Sequence, residues 1–329
     1  MRVTASCPGS CGELIQGWLG DSQKLVSYGI NRFSNVTISP GSSFEHDRSK
    51  AKEALQRTLV HFDLPDTDSK NISLSIDSEL PVAKGMASST ADIAATCQAV
   101  AAFHGKTISM EEIIEICLAI ERTDSILFPT LTLFEQKDGL VREESGWAPH
   151  FYVVVLEPKK TVTTEAFHSK ETDRLFYQQR TQFKKVYLHY AKAVKERSVK
   201  LLGEAAVQSA ILNQKILPKP YFSELLKLQR QHQWLGVNVA HSGSVIGIMV
   251  ETQEEIDTVL TVIQRSELNR CYSKVSVHQS CYQGVQLKEA RGNDEEADGR
   301  RSFQRLRKND DNTWFDEAFT ESRVSNSAL

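Results

Sequence analysis

Residues 71–77, NISLSID, alternate polar and apolar side chains, the two-residue period of a half-buried strand. From Ser88 the run SSTADIAATCQAVAAFHG is rich in alanine and closes on Gly105, so the pattern predicts a helix with a glycine stop. In SMEEIIEICLAIE, Ser109 and Glu112 form a capping box ahead of apolar positions, which predicts a helix over Met110 to Glu121. FYVVVLEP, residues 151–158, reads as a buried strand opening a second half. Helical periodicity then covers 173–199, 201–214 and 221–232. WLGVNVAHSGSVIGIMVE, residues 234–251, reads as strand, Gly/Ser turn, strand. A helix near 253–265 and strands at 271–277 and 284–287 follow. Strands and helices mix without a regular βαβ rhythm, which predicts an α+β fold rather than a doubly wound sheet.

Composition narrows the partners. A chain of 329 residues is long enough for two domains and a substantial core. The formal net charge of −3 supplies no basic field for nucleic acid or an anionic membrane. No apolar run is long enough to span a bilayer, and MRVTASCPGSCGEL has no apolar core of signal-peptide length; the cytoplasm is the expected compartment. Six cysteines do not make a disulfide framework in this length. Cys7 and Cys11 have three residues between them rather than the two usual in zinc ribbons, so they read as reduced structural thiols. From Ala290 the chain mixes both charges with few apolar residues, which predicts a disordered tail over 290–329. Within it, TWFDEAF, residues 313–319, is either solvated or a short amphipathic contact helix.

The chemistry concentrates in PVAKGMASSTADIAA, residues 81–95. A strand, a tight Gly/Ser loop and a helix start make an anion site, because the first helical turn has unpaired N–H groups at the positive end of the dipole. Gly85 permits a backbone geometry that other residues resist. Ser88 and Ser89 add hydroxyls that reach phosphate or Mg²⁺; equally, they can cap the helix. The Walker pattern is absent.

Two further Gly/Ser-rich segments stand beside it: PGSCGELIQG at 8–17 and GVNVAHSGSVIG at 236–247. The three together resemble the GHMP kinase superfamily, whose central motif is P-x-x-x-G-L-G-S-S-A. Pro81, Gly85, Ser88, Ser89 and Ala91 match, with Met86 for the leucine and Ala87 for the second glycine. That last departure predicts a slightly altered backbone over the phosphates. CGELIQGW, KGMASSTADIAAT, TLTLF and LPKP…GVNVAHSGSV narrow the resemblance, over roughly residues 5–288, to the branch that phosphorylates L-threonine for the aminopropanol linker of cobalamin.

This resemblance implies ATP and Mg²⁺, a small-molecule acceptor, and two domains. Residues 1–148 would form an ATP-binding domain like ribosomal protein S5 domain 2, and 149–289 a ferredoxin-like domain. Pro81, Val82, Ala83, Lys84, Gly85, Met86, Ala87, Ser88, Ser89 and Thr90 would line the ATP phosphates. Ser89 and Glu121 would hold the metal. Asp124 would be the base for the acceptor hydroxyl, a second metal contact or a turn cap. Glu115 reads as a solvated helix face. Glu13 would meet the acceptor's ammonium or make a structural hydrogen bond. Thr163 or Thr164, in TVTTEA, would contact the acceptor. His241 reads as a structural residue of the third loop. L-Homoserine or another small alcohol is the alternative acceptor, and a non-catalytic ligand sensor is the alternative class.

Overall fold

The computed structural model describes residues 1–44, 48–159, 167 and 169–291. The charged tail, its 313–319 segment and the pair Thr163 and Thr164 lie outside the described residues. Met1–Gly292 forms one compact unit.

Among the described residues, ten strands join in one sheet in which every strand-to-strand pairing is antiparallel. Two long strands, β1 (Arg2–Leu19) and β2 (Ser22–Pro40), form a hairpin at its centre. Next come β3 (Ile72–Ser78), β4 (Thr132–Glu135), β5 (Arg142–Glu144) and β6 (Tyr152–Pro158). The last four are β7 (Gly236–Val239), β8 (Ile246–Val250), β9 (Tyr272–Cys281) and β10 (Gln286–Arg291). The strand order is β10-β1-β7-β8-β6-β9-β2-β4-β5, with β3 beside β2. β1 is the branch point. It pairs with β10 over Arg2 to Ser6, with β2 along most of its length, and with β7 at Glu13↔Val239.

The described residues include eight helices. They are α1 (Ser49–His61), α2 (Ser88–Phe103), α3 (Met110–Ile120), α4 (Lys170–Gln178), α5 (Arg180–Glu196), α6 (Val199–Asn213), α7 (Phe222–His232) and α8 (Glu254–Arg265). Of these, α1 and α3 pack on α2 rather than on the sheet. The capping box of α3 forms as its sequence predicts: Glu112 N–H donates to Ser109 Oγ, and Ser109 N–H to Glu112 Oε2. The expected helix over 173–199 is two helices, broken at Gln179.

α2 is buried on nearly every side, from Thr90 through Cys97 and again over Ala99 to Ala101. A helix apolar all round belongs inside a protein, and its alanines let α1, β1 and β2 approach closely. One core cluster gathers α1, α2, α3 and the β1–β2 hairpin. A second lies under β6, β7 and β8, with Leu225, Trp234, Val259 and Tyr272. Cys7 and Cys11 are free and fully buried in β1, and burial pushes both thiols up.

The expected end of the folded chain at 289 falls inside β10. That strand carries its ladder to Arg291, opposite Arg2, so Ala290 and Arg291 belong to the sheet.

Candidate active site

The three Gly/Ser-rich segments meet at the N-terminus of α2. Ser10 N–H donates to Met86 O at 3.0 Å, and Ser244 and Val245 N–H donate to Lys84 O at 2.9 and 3.2 Å. Glycines make this approach feasible. A Cβ on Gly85 would sit 2.4 Å from Ala240 Cβ, and one on Gly243 2.3 Å from Lys84 O. Gly85 also takes φ +80, a left-handed conformation costly for other residues.

The two readings of Ser88 and Ser89 now separate. The N-cap of α2 is Ala87, and no side chain caps the helix. Neither serine takes the capping role. The start of α2 lies at a cavity of about 290 Å³ lined by Val82, Ala83 and Gly85 to Thr90. Ala87 sits at φ 53, ψ 26, in the region glycine enters freely. The missing glycine therefore appears as backbone strain in alanine, of order 1 kcal/mol, within a conformation that glycine would share.

The acidic candidates gather at the same cavity. Glu121, Asp124 and Glu13 all line it together with Ser89, and Thr90 Oγ1, in the first turn of α2, donates to Glu121 Oε1 at 3.5 Å. Glu121 ends α3, and its carboxylate accepts from Lys50 Nζ at 2.7 Å. Asp124 precedes a short 3-10 turn, Ser125–Leu127, without capping it. Its carboxylate instead accepts the Ser27 hydroxyl. Loss of water around the carboxyl, then the negative charges of Glu13 and Glu121, push Asp124 up to about 7, against the pull of the Ser27 hydrogen bond. A carboxylate poised there can take a proton near neutral pH.

Glu13 is buried at 4% exposure. Its Oε2 accepts from His241 N–H at 2.7 Å and from His241 Nδ1 at 3.0 Å. Nδ1 also faces Val239 O at 3.2 Å; with acceptors on both sides, it is assigned the proton. His241 Nε2 meets Ser209 Oγ at 2.9 Å, and that oxygen accepts Gln16 N–H. His241 is thus a fully bonded link between the third loop, β1 and α6. Glu13 combines the two roles weighed for it, a structural hydrogen bond and a charge on the cavity wall.

Other candidates stand apart. Pro81 is absent from the cavity lining, and Lys84 turns its ammonium away to Pro158 O. Burial lowers Lys84 from the ordinary lysine range. Glu115 is exposed on α3. Ser242, from the third Gly/Ser-rich segment, also lines the cavity, as do Arg48, Lys50, Arg122 and Gln136, which no motif singled out. Of those four, only Arg122, two residues before Asp124, carried a sequence signal, by adjacency.

The donor set can be tested against the groups a kinase requires. An uncapped helix start that shares its cavity with Ser242 suits a polyphosphate. A serine and a carboxylate lining one cavity suit a hard cation such as Mg²⁺.

Comparison with known proteins defines the class. The family model for the GHMP kinases N terminal domain matches residues 49–127. Among solved structures, a homoserine kinase from Cytophaga hutchinsonii superposes with a TM-score of 0.64 at 14% identity, covering 87% of this chain and 97% of the other. A mevalonate kinase from Methanococcus jannaschii gives 0.57 at 15% identity, covering 85% and 97%. The chain belongs to the GHMP kinases and has their fold. It is similar, more particularly, to two L-threonine kinases. That of Citrobacter freundii is 35% identical over 286 residues, 87% of this chain and 99% of the relative. That of Salmonella typhimurium is 35% identical over the same share of this chain and 95% of its own.

Proposed function

We propose that the protein is an ATP-dependent kinase that converts L-threonine to O-phospho-L-threonine, for the aminopropanol linker of cobalamin. The similarity to L-threonine kinases over most of both chains supports the acceptor. The observation that carries the chemistry is that the uncapped α2 N-terminus, Glu121 and Asp124 line one cavity.

In this reading the N–H groups at the start of α2 hold the ATP phosphates. Asp124 takes the proton of the threonine hydroxyl as that oxygen bonds the γ-phosphorus. The bond from the γ-phosphorus to the β,γ-bridging oxygen breaks, and ADP leaves. Ser27 orients the Asp124 carboxylate. Phosphoryl transfer needs alignment and charge neutralisation more than covalent help. Ser89 and Glu121 would hold Mg²⁺, which when bound supplies positive charge against the transferring phosphoryl group. Lys50 fixes the Glu121 carboxylate. Glu13 contributes negative charge for the ammonium of the amino acid. For the architecture, we propose that residues 1–148 form the ATP-binding domain like ribosomal protein S5 domain 2, and that the ferredoxin-like domain begins at 149 and runs to the end of β10 at Arg291 rather than to 289.

The test is an initial-rate assay of ADP release with L-threonine, L-serine, L-homoserine and no acceptor. L-Threonine should give the highest kcat/KM, with little ADP formed in its absence. Equal rates with and without any hydroxyl amino acid would overturn the reading.

A further inference from the structure

An α-amino acid brings a carboxylate as well as an ammonium and a hydroxyl, and a buried carboxylate needs a cation. Among the described residues, three cations line the cavity: Arg48, Lys50 and Arg122. The first two are committed within the wall. Arg48 Nη1 donates to Asp92 Oδ2 at 2.9 Å, and that aspartate also accepts Ser34 Oγ at 2.5 Å. Lys50 Nζ donates to Glu121 Oε2 at 2.7 Å.

Arg122 is placed differently. Its nearest carboxylate partner, Asp173 Oδ1 on α4, lies 3.9 Å from Nη2, outside hydrogen-bond range. That same oxygen already accepts Gln23 Nε2 at 2.7 Å. Gln23 in turn receives a hydrogen bond at 3.3 Å from Gln136, another cavity residue. Asp173 therefore biases the guanidinium by charge without occupying its donors. The backbone here is pinned, because Thr123 N–H donates to Gln136 O at 2.9 Å. Arg122 thus stands on the same short segment as Asp124, with its planar fork of donors uncommitted and its side chain 23% exposed.

We infer that Arg122 binds the α-carboxylate of the acceptor amino acid, and so selects α-amino acids over amino alcohols. The inference rests on the kinase reading above. The acceptor then lies with its carboxylate on Arg122, its ammonium toward Glu13 and its hydroxyl at Asp124. Asp173, held by Gln23, is a positioning residue for the guanidinium.

The experiment compares wild type with Arg122→Gln and Arg122→Lys, on L-threonine and on L-threoninol, in which a hydroxymethyl group replaces the carboxylate. Wild type should prefer L-threonine by at least a hundredfold in kcat/KM. Arg122→Gln should raise the KM for L-threonine by tenfold or more, leave the KM for ATP within twofold, and leave L-threoninol turnover unchanged, so the preference collapses. Arg122→Lys should recover part of the loss. A wild type indifferent to the carboxylate would overturn the inference. So would an Arg122→Gln defect shared equally by both acceptors, or one confined to the KM for ATP. If wild type phosphorylates L-homoserine and not L-threonine, the threonine reading fails alone, and the same variants are then read on L-homoserine against its amino alcohol.

Discussion

At the scale of single residues, function turns on which polar groups are already satisfied. His241 has partners on both ring nitrogens and is spent on structure. Ser89 and Glu121 line the same cavity. Replacing either by alanine should cut kcat by at least a hundredfold with little change in melting temperature, as steady-state kinetics and calorimetry would register. Asp124→Asn should lower kcat for L-threonine about a hundredfold while ATP affinity stays within threefold, because the amide keeps the shape and removes the basicity. The wild-type kcat/KM for L-threonine should rise with pH to about 7, the value to which Asp124 is pushed, and the variant should lose that limb. The same carboxyl has a signature in stability. Its folded-state value lies above the unfolded one, so its contribution is present near pH 4 and is lost as pH rises through about 7. Asp124→Asn should therefore melt higher than wild type at pH 8, by about 1–2 kcal/mol of stability, with the gap closing toward pH 4. A variant less stable than wild type at pH 8 would show that the carboxylate is a favourable structural partner.

Elements were legible in proportion to their local signals. α2 and α3 announce themselves by an alanine run and a capping box, and both lie where the pattern sets them. α1 has an amphipathic sequence but starts at Arg48 without a side-chain cap, so nothing marks its beginning. The β1–β2 hairpin was hidden for another reason. CPGSCG reads as a loop, yet it lies inside an 18-residue strand whose pairing with β2 shifts between Pro8 and Gly9 and again near Glu13. Those irregularities occur where β1 meets α2 and pairs with β7, and only the tertiary packing reveals them. The tight loop before α2 followed from its motif, but that Ala87 rather than a serine is the N-cap is visible only in the backbone. Gly85 tests the junction of the three loops. With φ +80 and Ala240 and Gly243 in the way, Gly85→Ala should cost about 2–4 kcal/mol in urea unfolding and raise the KM for ATP. A loss under about 0.5 kcal/mol would mean that the loops part easily.

Over the whole molecule, sheet continuity sets what can be removed. β10 closes the edge beside β1, pairing Glu289, Ala290 and Arg291 with Thr4, Val3 and Arg2. Truncation after Gly292 should keep the melting temperature within about 2 °C, whereas truncation after Lys288 should lower it by several degrees, since three ladder positions vanish. Equal melting temperatures would show that the edge contributes little. The α+β class could be read from the chain, because it rests on local pattern. The partners of Glu13, Asp124 and Arg122 could not, because Val239, Ser27 and Asp173 are far away in sequence. The central claim is that this cavity moves the γ-phosphoryl group of ATP to L-threonine, and phosphorus NMR with mass spectrometry of one reaction tests it most directly. With ATP, Mg²⁺ and equal concentrations of L-threonine and L-homoserine, O-phospho-L-threonine should be the dominant phosphorylated amino acid. A product mixture dominated by O-phospho-L-homoserine, or by inorganic phosphate alone, would contradict it.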